Sequence, residues 1–258
     1  MLPRPGIQIF ESSGGQARCQ VSPQGARHQK RQGGPPRGAD EVVDASKELA
    51  ELGWQVVPEV SFLLEDPNPM ARILTMDAFR KFGEKASPAL PRVVANLTHY
   101  DSSVVVTAIG LIAAMGSAGL PAAPALLGLI KNGQPSAKGA ARHLSIWALQ
   151  KLGPGVLDIF PDALEVLSFC LEDDEKLVRL NAAAAIGSFG PAASGALPAL
   201  ARAMKHEDQN TRIFAARAAG KLGPAAKPLV SEITDVIATI SEDACSRTEL
   251  RRLVRTLT

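Results

Sequence analysis

Five glycines constrain this chain more than any other feature. Gly83, Gly116, Gly153, Gly190 and Gly223 each close an apolar segment, and they stand 33, 37, 37 and 33 residues apart. A fixed period of that length marks stacked helical hairpins, in which each unit buries its apolar face only against its neighbours. Residue types recur in register with the glycines. One residue before stand Phe82, Met115, Leu152, Phe189 and Leu222; four before, Phe79, Ile112, Leu149, Ile186 and Ala219; seven before, Met76, Ile109, Ile146, Ala183 and Ala216. That spacing is one face of a helix. Small residues five before (Ala78, Ala148, Ala185, Ala218) let neighbouring helices approach closely.

Counting forward, Pro91, Pro124, Pro161 and Pro198 lie eight residues after their glycines. Proline is tolerated in the first turn of a helix, where the amides lack partners anyway, so each proline opens the second helix of its unit, helix B. The glycine ends helix A by taking a left-handed backbone. Connectors such as Glu172-Asp173-Asp174 and Glu207-Asp208 place carboxylates near the next helix start, where the helix dipole favours them. Arg72, Arg142, Arg179 and Arg212 each stand eleven before their glycine, with Val105 as the exception, and are expected to be structural.

The stretches VRLNAAAAIGSFGPAASGALPALARAM (178 to 204) and TRIFAARAAGKLGPAAKPLVSEI (211 to 233) resemble HEAT repeats of the armadillo-like superfamily. Within that class they are most similar to the short, Ala-rich HEAT-like units named after phycobilisome lyases. The resemblance covers roughly the last four fifths of the chain. It implies an all-α, right-handed α-α superhelix of about six hairpins, and it implies arginines that hydrogen-bond from repeat to repeat; it says little about activity.

Two regions are expected. Residues 1–43 form a basic Pro/Gly-rich leader, with six Lys or Arg against the single acid Glu11 before Asp40, and are expected to be disordered. Residues 44–258 form the solenoid, beginning at an N-cap near Asp44 to Ser46 and ending on a polar cap, SRTELRRLVRTLT, with Leu250, Leu253, Val254 and Leu257 on one face. Gly53 with Pro58 imitates Gly223 with Pro228, which marks a degenerate first unit. The leader lacks the continuous apolar core of a secretory signal, so an intracellular protein is expected, and its basic character is compatible with import into a plastid or mitochondrion. Three scattered cysteines (Cys19, Cys170, Cys245) suit a reducing compartment.

Between Asp101 and Lys131 there is no charged residue. Gly116, Gly119, Pro121 and Pro124 break this run into pieces too short to span a bilayer. Helix B of this unit therefore reads as an apolar face open to another protein. Leu126, Leu127, Ile130 and Lys131 are the expected anchors, with Arg92, Glu165, Arg202 and Glu232 as a polar rim.

Catalysis finds little footing. Deoxyhypusine hydroxylase, a HEAT-like enzyme, holds iron with several His-Glu pairs; this chain has one such pair, His206-Glu207, in a connector. No CxxC, Ser-His-Asp set or phosphate loop appears in the repeats, so neither cofactor nor metal is expected. Cys170 reads as a core cysteine. Along the helix B row the charge alternates in sign from unit to unit, and aromatic side chains for base stacking are missing, which argues against nucleic acid. The expectation is a noncatalytic protein-binding scaffold, with a phycobilisome-lyase-like or other pigment-handling factor as the alternative and a nucleic-acid-binding solenoid after it.

Overall fold

A computed structural model describes residues 8–11, 17–20, 48–132, 138–239 and 244–257. Two units separate, Met1–Gly38 and Ala39–Thr258. In the first, β1 (Gln8–Glu11) pairs antiparallel with β2 (Ala17–Gln20), Ile9 opposite Cys19. The rest of the leader, and the N-cap expected at Asp44 to Ser46, lie outside the described residues.

The second unit is a row of helical hairpins. After α1 (Val57–Val60) come α2 (Pro69–Arg80) with α3 (Leu90–Ala95), and α4 (Ser102–Ala114) with α5 (Ala123–Asn132). Next are α6 (Lys138–Leu152), the short α7 (Gly155–Ile159) and α8 (Asp162–Cys170), then α9 (Lys176–Phe189) with α10 (Leu197–Ala203). The pair α11 (Gln209–Lys221) and α12 (Val230–Thr239) is followed by α13 (Ala244–Leu257). The first helices of the hairpins stack in chain order, α2 on α4, α4 on α6, α6 on α9 and α9 on α11, and α11 also packs against α13. Helices that touch are therefore neighbours along the chain, as a solenoid requires.

Each punctuating glycine does what its position predicts. Among the described residues, positive φ falls on Gly53, Gly83, Gly116, Gly153, Gly190 and Gly223, between 54° and 86°. A side chain is strained in that backbone, so only glycine ends helix A there cheaply. Pro91, Pro124 and Pro198 occupy the first turns of α3, α5 and α10, and Pro161 caps α8. The residues four and seven before each glycine are buried throughout, from Phe79 and Met76 to Ala219 and Ala216. The uncharged run from 102 to 130 forms two separate helices of the core. No helix among the described residues is long and apolar enough to cross a membrane.

The arginine ladder ties down the connectors that follow the second helices. Arg72 donates to the carbonyls of Asp66 and Glu65 (2.6 and 3.1 Å) and to Asn96 Oδ1 (3.0 Å). Arg179 donates to the carbonyls of Asp173 and Asp174 (2.7 and 3.0 Å) and reaches Thr211 Oγ1 in the next unit (3.1 Å). Arg212 repeats the carbonyl pair at His206 and Glu207 (2.9 and 2.8 Å). These carbonyls lie at or just past a helix end, in connectors where regular backbone pairing has stopped, and each guanidinium satisfies two of them at once. His99 and His206, each seventeen before a glycine, also share a role. The ring Nδ1 accepts the N–H of Asp101 or Asp208 (3.0 and 2.9 Å), the residue that caps the following helix.

Asp208 gives this capping a pH signature. Burial pushes its pKa up, but hydrogen bonds from Lys176 Nζ and from the Thr211 amide and hydroxyl outweigh it and hold the carboxyl down at about 2, from 3.8. A depressed folded-state pKa stabilises above the unfolded value and loses that contribution as pH falls through the folded one. Asp208→Asn is therefore expected to lower the melting temperature at neutral pH, with the gap to wild type closing between about pH 5 and about pH 2. An equal gap at both ends of that range, read by circular dichroism melts, contradicts this account.

Candidate functional site

The largest departure from the sequence expectation lies in the third hairpin. Leu126, Leu127 and Ile130 are 0%, 9% and 2% exposed, so they are core residues and offer a partner almost no surface. A helix face without charge is not thereby an open face. α5 is covered by α6 on one side and approached by α8 on the other, so its apolar residues are spent on packing.

What that packing leaves is a groove between α5 and α8. On α8, Asp162, Glu165, Val166 and Phe169 follow the i, i+3, i+4, i+7 interval and share one face. On α5, Pro124, Leu127, Gly128 and Lys131 do the same. Between the two stripes run two adjoining clefts of about 390 Å³ each, which share Lys131 and Asp162 as lining residues. Phe169 stands at one end and is 78% exposed; Ile159 stands at the other and is 55% exposed. Ile159 closes α7 and Phe169 lies in the last turn of α8, so the two apolar side chains flank the groove from different helices. No heavy atom lies within 4 Å of a Cβ built at Gly128, so the groove is open there. Asp162, Glu165 and Lys131 form no ion pair among the described residues, which leaves their charges to whatever enters.

Of the residues expected to bind a partner, the groove brings together Leu127, Ile130, Lys131 and Glu165, with Leu127 and Ile130 as buried wall. Leu126, on the same helix, is fully buried in the core, and Arg92, Arg202 and Glu232 sit in different units. Arg92 is engaged with Glu65 Oε1 (2.8 Å) and Ser61 Oγ (3.0 Å), and Arg202 with Glu172 (2.6 Å), bridges that link consecutive units at the surface. Glu232 accepts from the Ser231 hydroxyl (2.7 Å) and lines a small cleft of about 90 Å³ with Lys205, Arg212 and Asp235. The sequence reading missed Phe169 and Gly128. Phe169 was detectable, because Ala163, Leu167 and Cys170 define the buried stripe of α8 and Phe169 falls off it.

The groove floor holds Cys170, which is 2% exposed. Burial pushes its thiol up to about 11, nearby Asp173 adds to the rise, and Arg142 opposes it. At neutral pH such a thiol is protonated and a poor nucleophile. Among the described residues there is no group of three His, Cys, Asp or Glu placed to hold a metal ion.

These features define a class: a helical-hairpin solenoid with an open groove between second helices. The fold is that of a HEAT-repeat solenoid, and the family described as HEAT repeats matches residues 164–236. No curated protein matches the sequence. Among solved structures, the archaeal HEAT-like repeats protein of Thermococcus onnurineus NA1 superposes with a TM-score of 0.59 at 11% identity, covering 87% of this chain and 98% of that one. Kap121p bound to Pho4p superposes at 0.62 with 13% identity over 79% of this chain, which spans only 23% of Kap121p. The complex of CpcE and CpcF of phycocyanin lyase from Nostoc sp. PCC7120 is looser, at 0.46 with 21% identity over 64% of this chain and 98% of that one, and bears on neither activity nor pigment.

Proposed function

We propose that this protein is a noncatalytic scaffold that holds a segment of another protein in the groove between α5 and α8. The observation that carries this reading is Phe169. A phenylalanine 78% exposed beside a groove costs solubility and contributes little burial to the fold, and an aromatic side chain that a partner covers supplies a large share of binding energy. The segment expected is one with an apolar side chain that packs between Phe169 and Ile159, a basic residue for Asp162 and Glu165, and an acidic one for Lys131. Support from comparison is limited to kind: Kap121p, of similar fold, is solved with a bound protein.

Two variants test this. Phe169→Asp puts a charge at the apolar end, and Gly128→Trp starts a bulky side chain from the α5 wall, where a Cβ meets no heavy atom within 4 Å. Both are expected to keep wild-type helicity and melting temperature. Each is expected to weaken binding of a partner identified with the wild-type protein by at least about thirtyfold, which corresponds to about 2 kcal/mol. A partner that binds both variants as tightly as wild type removes this groove from the account.

A further inference from the structure

A second surface lies between the last two described helices, α12 and α13, and is independent of that groove. In α13, Arg247, Arg251 and Arg255 recur every four residues and line one side of a cleft of about 550 Å³. Thr234, Ile237 and Ala238 of α12, at the i, i+3, i+4 interval, line the opposite side, and Val254 contributes to the apolar floor. The acids of α12 point elsewhere: Glu232 and Asp235 line the small cleft that also holds Lys205 and Arg212. The charges described along this larger cleft are thus all positive. Arg251 and Arg255 are exposed and form no ion pair among the described residues. Glu249, on the same helix, is turned to Arg217 at 2.8 Å in α11.

Like charges four residues apart on a helix repel and weaken it, so the stripe is a standing cost that an anionic partner relieves. Its geometry narrows what that partner is. Two exposed guanidinium groups one helical turn apart, Arg251 and Arg255, beside an apolar strip, match carboxylates at the same four-residue interval on a facing helix whose apolar side chains enter the cleft. The geometry points to the α12–α13 cleft as a docking site for an acidic amphipathic helix of a partner protein. Arg251 and Arg255 pair with its carboxylates while Ile237 and Val254 take its apolar residues.

The test uses the full chain and a synthetic helical peptide with Glu at i, i+4 and i+8 and Leu at i+1 and i+5, measured by fluorescence anisotropy at low salt. Binding is expected to be saturable and to weaken about tenfold when the three Glu become Gln. It is expected to weaken similarly in the doubly substituted Arg251→Glu, Arg255→Glu protein. That variant should in turn gain affinity for the peptide with Lys in place of Glu, a charge swap that a misfolded protein cannot produce. Equal binding of a scrambled peptide of the same composition overturns the proposal, because it reduces the stripe to nonspecific attraction. Displacement of the peptide by an oligonucleotide at lower concentration overturns it too, because the surface then reads phosphates. Unchanged peptide binding by the double variant places the site elsewhere.

Discussion

Gly187→Leu is expected to destabilise the protein by about 3 kcal/mol, while the same substitution at Gly128 is neutral or stabilising. Both glycines lie inside helices, so both gain about 1 kcal/mol of helix propensity from leucine. Their surroundings differ. A Cβ built at Gly187 falls 2.9 Å from Ala218 Cα and 3.2 Å from Ala218 Cβ. Ala218 belongs to α11, and its Cα cannot rotate aside as a long side chain can. α9 and α11 must then separate, and because α9 also packs on α6, movement away from one neighbour presses it into the other. Overfilling a packed core costs 1–3 kcal/mol or more even where side chains give way, so about 3 is expected where backbone blocks the methyl. At Gly128 nothing lies within 4 Å. Urea unfolding of the two variants checks this directly, and similar midpoints for both mean that close approach of α9 and α11 is not what Gly187 provides.

Gly187 illustrates what was legible in the sequence. The punctuating glycines were readable because positive φ leaves almost no other choice, and a period in the 33 to 37 residue range separates design from accident. The buried face of each first helix was readable for the same reason, since Phe79, Ile112, Leu149 and Ile186 stand in one register and meet equivalent neighbours. Second helices are harder. Leu126, Leu127 and Ile130 look like an exposed strip in isolation, and only the approach of α6 and α8 shows that they are consumed by packing. The side-chain partners of the arginine ladder were likewise out of reach, since Asn96, Asp173 and Thr211 occupy unlike positions in their units and meet the guanidinium groups only once the hairpins are stacked. Gly187 and Gly220 carry no punctuation signal at all. What they share is a close neighbour, Ala218 for one and Leu253 of α13 for the other, and contact between units is not written in local sequence.

Arg142→Met is expected to cost about 2–3 kcal/mol, several times the effect of Arg92→Met, although both remove an arginine that bridges units. The difference is burial of the acid left behind. Arg92 pairs with Glu65, whose side chain is 63% exposed, and water replaces the lost partner, so less than about 1 kcal/mol is at stake. Arg142 instead grips both carboxylate oxygens of Asp173, whose side chain is 8% exposed, and its Nε donates to the Ile130 carbonyl at the end of α5 (3.2 Å). Without it Asp173 keeps the Glu175 amide (2.9 Å) but loses its close cation, and the Ile130 carbonyl loses this donor. A fully buried pair broken from one side costs 3–5 kcal/mol; the remaining amide and the 25% exposure of Arg142 bring the expected value below that. Adding Asp173→Asn to Arg142→Met is expected to recover part of the loss, since a neutral amide needs no counter-charge. The damage should also be local, because a unit in a solenoid touches only its neighbours. Hydrogen exchange is expected to quicken first in α5, α6 and the connector after α8, with α11 and α12 close to wild type. If exchange quickens evenly along the chain, the hairpins are coupled more tightly than nearest-neighbour stacking allows.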